Sequence, residues 1–247
     1  MGVNLHSQQQ SAFTLDLKQD IIISTLALGL FLGAHFIDDQ PVPIGNLDKN
    51  DVNAFDRRLM FHYPRLNIIK HSLWPVLAVA PIITPLAVAG LDIRNNWGIW
   101  LTYGVMYAQA TFLAYGTRMF IGKTVNRNRP FDYFADDIGQ YVTRNSFPSG
   151  STTIVFMPAT FLSVTFSAEF PDSRWRIPVI VGSYTLATAV GTARILTGHH
   201  FLTDVLAGAA IGSFFGWLIP TLHRRNNDDN NVSFHFIGNG AVVALRF

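Results

Sequence analysis

Residues 205–222 read Val-Leu-Ala-Gly-Ala-Ala-Ile-Gly-Ser-Phe-Phe-Gly-Trp-Leu-Ile-Pro-Thr-Leu, without a single ionisable side chain. A membrane-spanning helix needs roughly 20 predominantly apolar residues, and this run has that character. Gly208, Ala209, Ala210, Gly212, Ser213 and Gly216 recur along it. Small residues let helices approach closely in lipid, where packing rather than water exclusion joins them. The run ends on His223-Arg224-Arg225, the kind of basic flank that marks a cytoplasmic loop.

Working outward, five more apolar runs precede it: Ile21 to Ile37, Leu73 to Leu91, Trp97 to Phe120, Thr152 to Ala168 and Ile177 to Ala193. The last two are short and carry Thr and Ser. Of the 247 residues, 49% are hydrophobic and 14% charged, against about 25% charged in soluble domains. The sequence thus predicts an all-α membrane protein, a bundle of about six transmembrane helices. It divides into a cytoplasmic segment (1–20), the six-span domain (21–222) with an extramembrane loop at 38–72, and a tail (223–247). That loop mixes five aspartates with five Lys and Arg. The tail alternates polar and apolar residues from Val232, turns at Gly238-Asn239-Gly240 and resumes, the pattern of a small β-hairpin. The first run is expected to be a retained span rather than a signal peptide. Its leader holds Asp16, Lys18 and Asp20 instead of a basic cluster, and no small-x-small site follows.

A net charge of +2 argues against nucleic acid as a partner, and the absence of cysteine excludes disulfides and thiolate chemistry. With the N-terminus inside, the inner loops hold Lys18, Arg94, Arg174, Arg176, Arg224 and Arg225, as the positive-inside rule requires. The outer connection between the third and fourth spans breaks the rule with Lys123, Arg127, Arg129 and Arg144. Those cations need another purpose.

That connection contains Asn126-Arg127-Asn128-Arg129-Pro130 and then Ser146-Phe147-Pro148-Ser149-Gly150-Ser151; the next outer connection carries Arg194, His199-His200 and Asp204. With six spans, odd-numbered spans end outside and even-numbered spans begin there, so all three clusters share one membrane face. The residue types suit phosphoryl transfer. Guanidinium forks match phosphate oxygens. A Pro-Ser-Gly-Ser turn opening a helix offers backbone N–H groups and a positive dipole end to an anion. His200 and Asp204, four residues apart, allow the carboxylate to bond one ring nitrogen while the other attacks phosphorus. No cluster of carboxylates suited to a metal accompanies them, so no cofactor is expected and the cations supply the charge stabilisation.

The pattern resembles the type 2 phosphatidic acid phosphatase superfamily, lipid phosphate phosphatases related to vanadium haloperoxidases. Its three motifs are Lys-x6-Arg-Pro, Pro-Ser-Gly-His and Ser-Arg-x5-His-x3-Asp. Here the third reads Ala193-Arg194, five residues, His200, three residues, Asp204. The second is Pro148-Ser149-Gly150-Ser151, and the first ends with Arg129-Pro130. The resemblance implies a six-span bundle and a metal-free mechanism through a phosphohistidine. It makes His200 the nucleophile, oriented by Asp204, with Arg129, Arg194, Ser149 and Gly150 holding phosphate.

Ala193 stands where the third motif has Ser, and two further departures matter. Gly122 stands where the lysine belongs; Lys123 is one residue late, about 100° around a helix, and Arg118, one turn earlier on the face of Gly122, can supply the charge instead. Ser151 replaces the histidine that in the family protonates the leaving group; a serine hydroxyl is too weak an acid for that, and His199, beside His200, is the candidate to stand in. The expected partners are the bilayer and a phosphorylated lipid, with no partner protein implied, and the expected place is a cytoplasmic membrane with the site outward. Transfer of the phosphoryl group to another lipid, and non-catalytic binding or carriage of a phospholipid, are the rival readings.

Overall fold

The structure is a computed structural model, described for residues 11–37, 42–43, 47–63, 80–90, 92–134, 141–142, 145–225, 232–237 and 240–245. Its helices are α1 (Leu17–His35), the single turn α2 (Ala54–Arg57), α3 (Ala80–Ala89), α4 (Trp97–Val125), α5 (Gly150–Glu169), α6 (Arg176–Leu196) and α7 (Leu202–Leu222). Two-residue strands β1 (Val42–Pro43) and β2 (Tyr141–Val142) pair antiparallel across the loops after α1 and α4. In the tail the backbones of β3 (Val232–Ile237) and β4 (Gly240–Leu245) pair antiparallel, Val232 opposite Leu245.

Among the described residues four helices are long and apolar enough to cross a membrane: α1, α5, α6 and α7. The expectation of six is not met in that count, for two separate reasons. Helix α4 has ample length at 29 residues, but Gln109 and its many Tyr, Thr and Trp side chains dilute its hydropathy. The run expected at Leu73 to Leu91 is described only from Ala80, as a helix of 10 residues; its part before Ala80 lies outside the described residues, as do Arg144 and the tail's Gly238-Asn239.

Local chemistry explains the helix boundaries. Asp16 caps α1 by accepting from the Gln19 N–H at 2.9 Å, and Ser149 caps α5 by accepting from the Thr152 N–H at 3.3 Å. Asn126 ends α4 in the left-handed region, φ 51°, which asparagine tolerates better than most residues.

Helix α5 is the centre of the bundle and buries residues on nearly every side, from Thr152 and Val155 to Phe161 and Thr165. Helix α7 lies directly on it. A Cβ on Gly208, Gly212 or Gly216 would fall 2.5, 2.4 and 2.4 Å from the carbonyl oxygens of Ser149, Thr153 and Met157. Three glycines at a four-residue spacing thus form one bare stripe on α7, and the backbone of α5 occupies it. Helix α4 completes the core, with Tyr103, Met106 and Ala110 packed beside Met157, Phe161 and Ile219.

The far ends of α5 and α7 are tied to the N-terminal segment. Glu169 Oε1 accepts from Ser11 Oγ, the Ala12 N–H and the Tyr103 hydroxyl, at 2.6, 2.9 and 2.8 Å. His223 Nε2 lies 2.8 Å from Asp20 Oδ1. These contacts fix the ends away from the polar clusters. At the opposite end α4 and α6 finish while α5 and α7 begin, so the three sequence clusters converge there.

The stripe is testable. Gly212→Ala is expected to destabilise the fold by roughly 1–3 kcal/mol through overpacking, read as a lowered thermal midpoint in detergent. Gly29→Ala, inside α1 with nothing within 4 Å of the added carbon, should hold or raise that midpoint, because alanine favours a helix over glycine. Equal midpoints for the two variants would contradict the packing described.

Candidate active site

The turn between α6 and α7 presents the histidine. Gly198 adopts φ +72°, and a Cβ there would fall 2.7 Å from the Phe61 carbonyl oxygen, so only glycine fits. The N–H groups of His199 and His200 both donate to the Arg194 carbonyl, closing the end of α6. His200 is buried, at 3% exposure. Its Nδ1 donates to the Ser146 carbonyl oxygen at 2.8 Å, which leaves Nε2 with its lone pair.

Burial pushes His200 down from the usual 6.5 to about 4; the Asp204 carboxylate opposes the shift and the charges of Arg129 and Arg194 add to it. The ring is therefore neutral at physiological pH, the form in which one ring nitrogen keeps a free lone pair.

Asp204 is fully buried. Its Oδ2 accepts from Ser146 Oγ at 2.6 Å and from the Phe201 N–H at 2.8 Å, while Oδ1 accepts from Arg127 Nη1 at 2.6 Å. The direct bond to the imidazole expected from the i, i+4 spacing is not formed. Oδ2 stands 3.8 Å from His200 Nδ1, beyond hydrogen-bond reach. Ser146 bridges the two, giving its hydroxyl proton to Asp204 and its carbonyl to His200. The reason is local: Asp204 reaches back to cap the first turn of α7, and this draws its carboxylate off the ring.

Three guanidinium groups gather beside this pair. Arg129 donates from Nη1 to the His199 carbonyl at 3.1 Å and from Nη2 to that of Asn145 at 3.4 Å. Arg118 donates to the same Asn145 carbonyl at 3.3 Å and, through Nε, to Pro148 O at 3.1 Å. Arg194 is buried at 5% exposure, and its Nε finds no hydrogen-bond partner among the described residues. Burial and the neighbouring Arg118 charge hold Arg129 below its ordinary range, against the pull of Asp132 and Asp204. Cations crowded in this way lower their energy by sharing an anion.

The Pro-Ser-Gly-Ser turn packs into the same corner. The Ser149 N–H donates to the Asp204 carbonyl at 2.9 Å, and its Oγ accepts from Thr152 Oγ1 at 2.9 Å as well as from the Thr152 amide. Its own hydroxyl proton is all it has left to give. Gly150 faces Arg118, whose Nε would lie 2.9 Å from an added Cβ. Ser151 is half-buried one position further on. His199 Nδ1 lies 3.0 Å from Thr197 Oγ1, and its ring meets Phe131 edge-on at 5.5 Å.

Lys123 is not brought to the cluster. Its ammonium donates to the carbonyls of His35 and Ile37 at the end of α1. Being one residue late turns it around the helix, and Gly122 takes the inward face instead, 3.4 Å from Phe147 O and 3.9 Å from Arg118 Cζ measured from an added Cβ. Arg118 shares that face one turn back.

Two side chains belong to the site without having been singled out. Arg127 donates from Nη2 to Asp56 Oδ2 at 2.7 Å and from Nη1 to Thr203 Oγ1 and Asp204 Oδ1. Arg127 had a signal, as one of the cations that break the positive-inside rule. Asp56 had none, being one of five aspartates in a charged loop.

A family model described as the PAP2 superfamily matches residues 100–228, which takes in all but the first turn of α4, then α5 to α7 and every motif above. The chain belongs to the PAP2 superfamily. Among curated relatives it is 38% identical over 84 residues to the lipid A 1-phosphatase of Porphyromonas gingivalis, covering 32% of this chain and 18% of that protein. It is 31% identical over 110 residues to the lipid A 1-phosphatase of Rhizobium etli, covering 42% of this chain and 43% of that one. The chain thus spans less than half the length of the curated relatives it matches. A crystal structure of a transmembrane PAP2-type phosphatidylglycerolphosphate phosphatase from Bacillus subtilis aligns at a TM-score of 0.44 and 20% identity, over 82% of this chain and 94% of that one.

The lowered His200 value carries a sign. The unfolded ring binds a proton near 6.5 and the folded ring near 4, so folding stability is highest above pH 6.5 and falls as the pH drops between these values. The loss of thermal midpoint from pH 7 to pH 5 should be smaller in His200→Gln than in the unaltered protein. The same loss in both would mean that the ring is not buried neutral.

Proposed function

We propose that this chain hydrolyses a phosphate or diphosphate group on a membrane lipid through a phosphohistidine on His200, without a metal ion. The observation that carries the reading is the Ser146 carbonyl on Nδ1, which holds the ring in the tautomer whose Nε2 is a nucleophile, next to Arg118, Arg129 and Arg194. In the first step the Nε2 lone pair attacks phosphorus and the bond from phosphorus to the leaving oxygen breaks. The guanidinium groups meet the charge on the non-bridging oxygens. Water then attacks phosphorus, the P–N bond breaks, and His200 regains its lone pair while phosphate departs. Asp204 steadies the imidazole as it becomes cationic, partly by its charge at 3.8 Å and partly through Ser146.

The basic flank after α7 supports a cytoplasmic membrane with the site on its outer side. No three His, Asp or Glu side chains converge as metal ligands among the described residues, and the guanidinium cluster stands where charge stabilisation is needed.

Ser151 bears on the substrate. A serine hydroxyl is too weak an acid to protonate a departing alkoxide, and general acid catalysis typically contributes 10²–10⁴-fold. A lipid diphosphate instead expels a lipid phosphate, already stable as an anion, since the second pKa of a phosphate monoester is about 6. The reading therefore favours diphosphate lipids over phosphatidic acid, and the lipid A 1-phosphatase relatives make phosphorylated lipid A a further substrate to try. Ser151 also favours a second reading, a protein that binds or carries a phospholipid without cleaving it.

Purified protein given these lipids in the presence of a chelator should release phosphate, fastest from the diphosphate, with acid-labile label on His200 that disappears in His200→Ala. Binding without any release would select the second reading. Ser151→His should raise monophosphate hydrolysis at least tenfold more than diphosphate hydrolysis; equal gains would show that Ser151 does not stand in for an acid.

Arg118→Ala should cost about 10²-fold or more in kcat/KM, in line with the loss of one charge-stabilising donor, whereas Lys123→Ala should stay within about threefold. The reverse order would return Lys123 to the site.

A further inference from the structure

We propose that Asp56, on the extramembrane segment between α1 and α3, is a positioning residue for the nucleophilic histidine, acting through Arg127 and Asp204. The inference rests on the phosphohistidine reading, and it adds to the site a residue 71 positions before Arg127 in the chain.

The connection is continuous and buried. Asp56 and Asp204 have no exposed side-chain surface, and the Arg127 guanidinium lies between them, 2.7 Å from Asp56 Oδ2 and 2.6 Å from Asp204 Oδ1. The guanidinium also sits 4.1 Å over the Phe201 ring, which fixes its plane. From Asp204 the path passes through Ser146, whose hydroxyl donates to the carboxylate at 2.6 Å and whose carbonyl takes the His200 Nδ1 proton at 2.8 Å. Asp56 is ionised in this setting: burial alone would raise its carboxyl, but hydrogen bonds from Arg127, Thr203 and Asn53 hold it below the usual carboxylate range.

Geometry explains why the second carboxylate matters. One guanidinium fork spans two anions, so each fixes the rotation that the other experiences. Without the charge of Asp56, Nη2 of Arg127 loses its anchor and the fork can pivot on Asp204 alone. Asp204 Oδ1 then loses a fixed donor, and the carboxylate that holds the Ser146 hydroxyl is free to swing. The rest of the segment keeps independent fastenings: the Tyr63 N–H donates to the Leu196 carbonyl at 2.9 Å, and His62 stacks on Phe134 at 5.6 Å. Asp56 additionally accepts from the Thr203 N–H at 3.0 Å, a bond that asparagine can keep. Asp56→Asn therefore removes the ion pair while retaining that tether.

The test separates positioning from simple fastening. In Asp56→Asn, kcat on the best lipid substrate should fall 10- to 100-fold while KM changes less than threefold, because Asp56 does not touch the phosphate. Arg127→Gln should have a comparable effect, and the double variant should be no slower than the slower single one, as expected of two residues on one path. Full kcat in folded Asp56→Asn, or multiplied losses in the double variant, would overturn the proposal.

A second arm does not need turnover. Orthovanadate draws on a bond from His200 Nε2, whereas inorganic phosphate is held by the guanidinium groups. Asp56→Asn should weaken vanadate at least tenfold and phosphate less than twofold; equal weakening of both, or of neither, overturns the positioning role. Vanadate binding that is indifferent to His200→Ala would instead overturn the phosphohistidine reading, so the two failures look different. Should Asp56→Asn not fold, Asn53→Ala removes the bond from the Asn53 side-chain amide to Asp56 Oδ2 while keeping the ion pair. It should lower the thermal midpoint but leave kcat within threefold, and a 10-fold loss of kcat would show fastening, not positioning.

Discussion

The close approach of α7 to α5 is the constraint on which the remainder of the structure depends. With Gly208, Gly212 and Gly216 bare, the carbonyls of Ser149, Thr153 and Met157 come within a distance that no side chain allows. In lipid, where burial of apolar surface gives helices little reason to associate, such backbone proximity is a main source of cohesion. The first turn of α7 then meets the first turn of α5, and the Ser149 amide bonds the Asp204 carbonyl. The turn that carries Ser146 and the helix that carries Asp204 are consequently locked together before any side-chain chemistry begins. A side chain on this stripe would separate both at once.

Charge sets the second level of order. Four arginines, at 118, 127, 129 and 194, converge on a small volume at one end of the bundle, where Arg127 lies between the carboxylates of Asp56 and Asp204. Arg118 and Arg129 donate to carbonyls of the surrounding loops, which orients them. A neutral histidine beside crowded cations is a poor arrangement for stability and a good one for receiving a phosphate. Burial depresses His200, and the charges of Arg129 and Arg194 act in the same direction. The Arg194 Nε, buried and without a hydrogen-bond partner among the described residues, belongs to the same pattern.

The extramembrane segment changes the picture of where the site ends. Arg118 and Arg194 stand on α4 and α6, but the carboxylate Asp56 enters from the segment between α1 and α3 and is as buried as any residue in the core. The loop also lays the Phe61 carbonyl against Gly198, so the turn that presents His200 is shaped from outside the bundle as well as from within it.

Much of this was legible beforehand. The alternation of apolar runs placed three distant polar clusters at one end, and the spacing from Arg194 to His200 and Asp204 marked a candidate pair, because periodicity and the parity of spans are properties of the chain itself. The offset of Lys123 was legible too, since a shift of one residue on a helix is a fixed rotation. What the residues did with one another was not. Whether Asp204 would bond the imidazole or turn back to cap its own helix depends on the path of the Ser146 turn, and that path is set by the packing of α5 on α7. Asp56 could not be told from four other aspartates, because its role comes from a loop folding over the end of α6. The sequence by itself determined the helices, their small-residue stripe and the set of reactive groups, all governed by neighbours along the chain. Only the tertiary structure decided which partner each buried charge received, because that choice depends on distances between segments that share no local pattern.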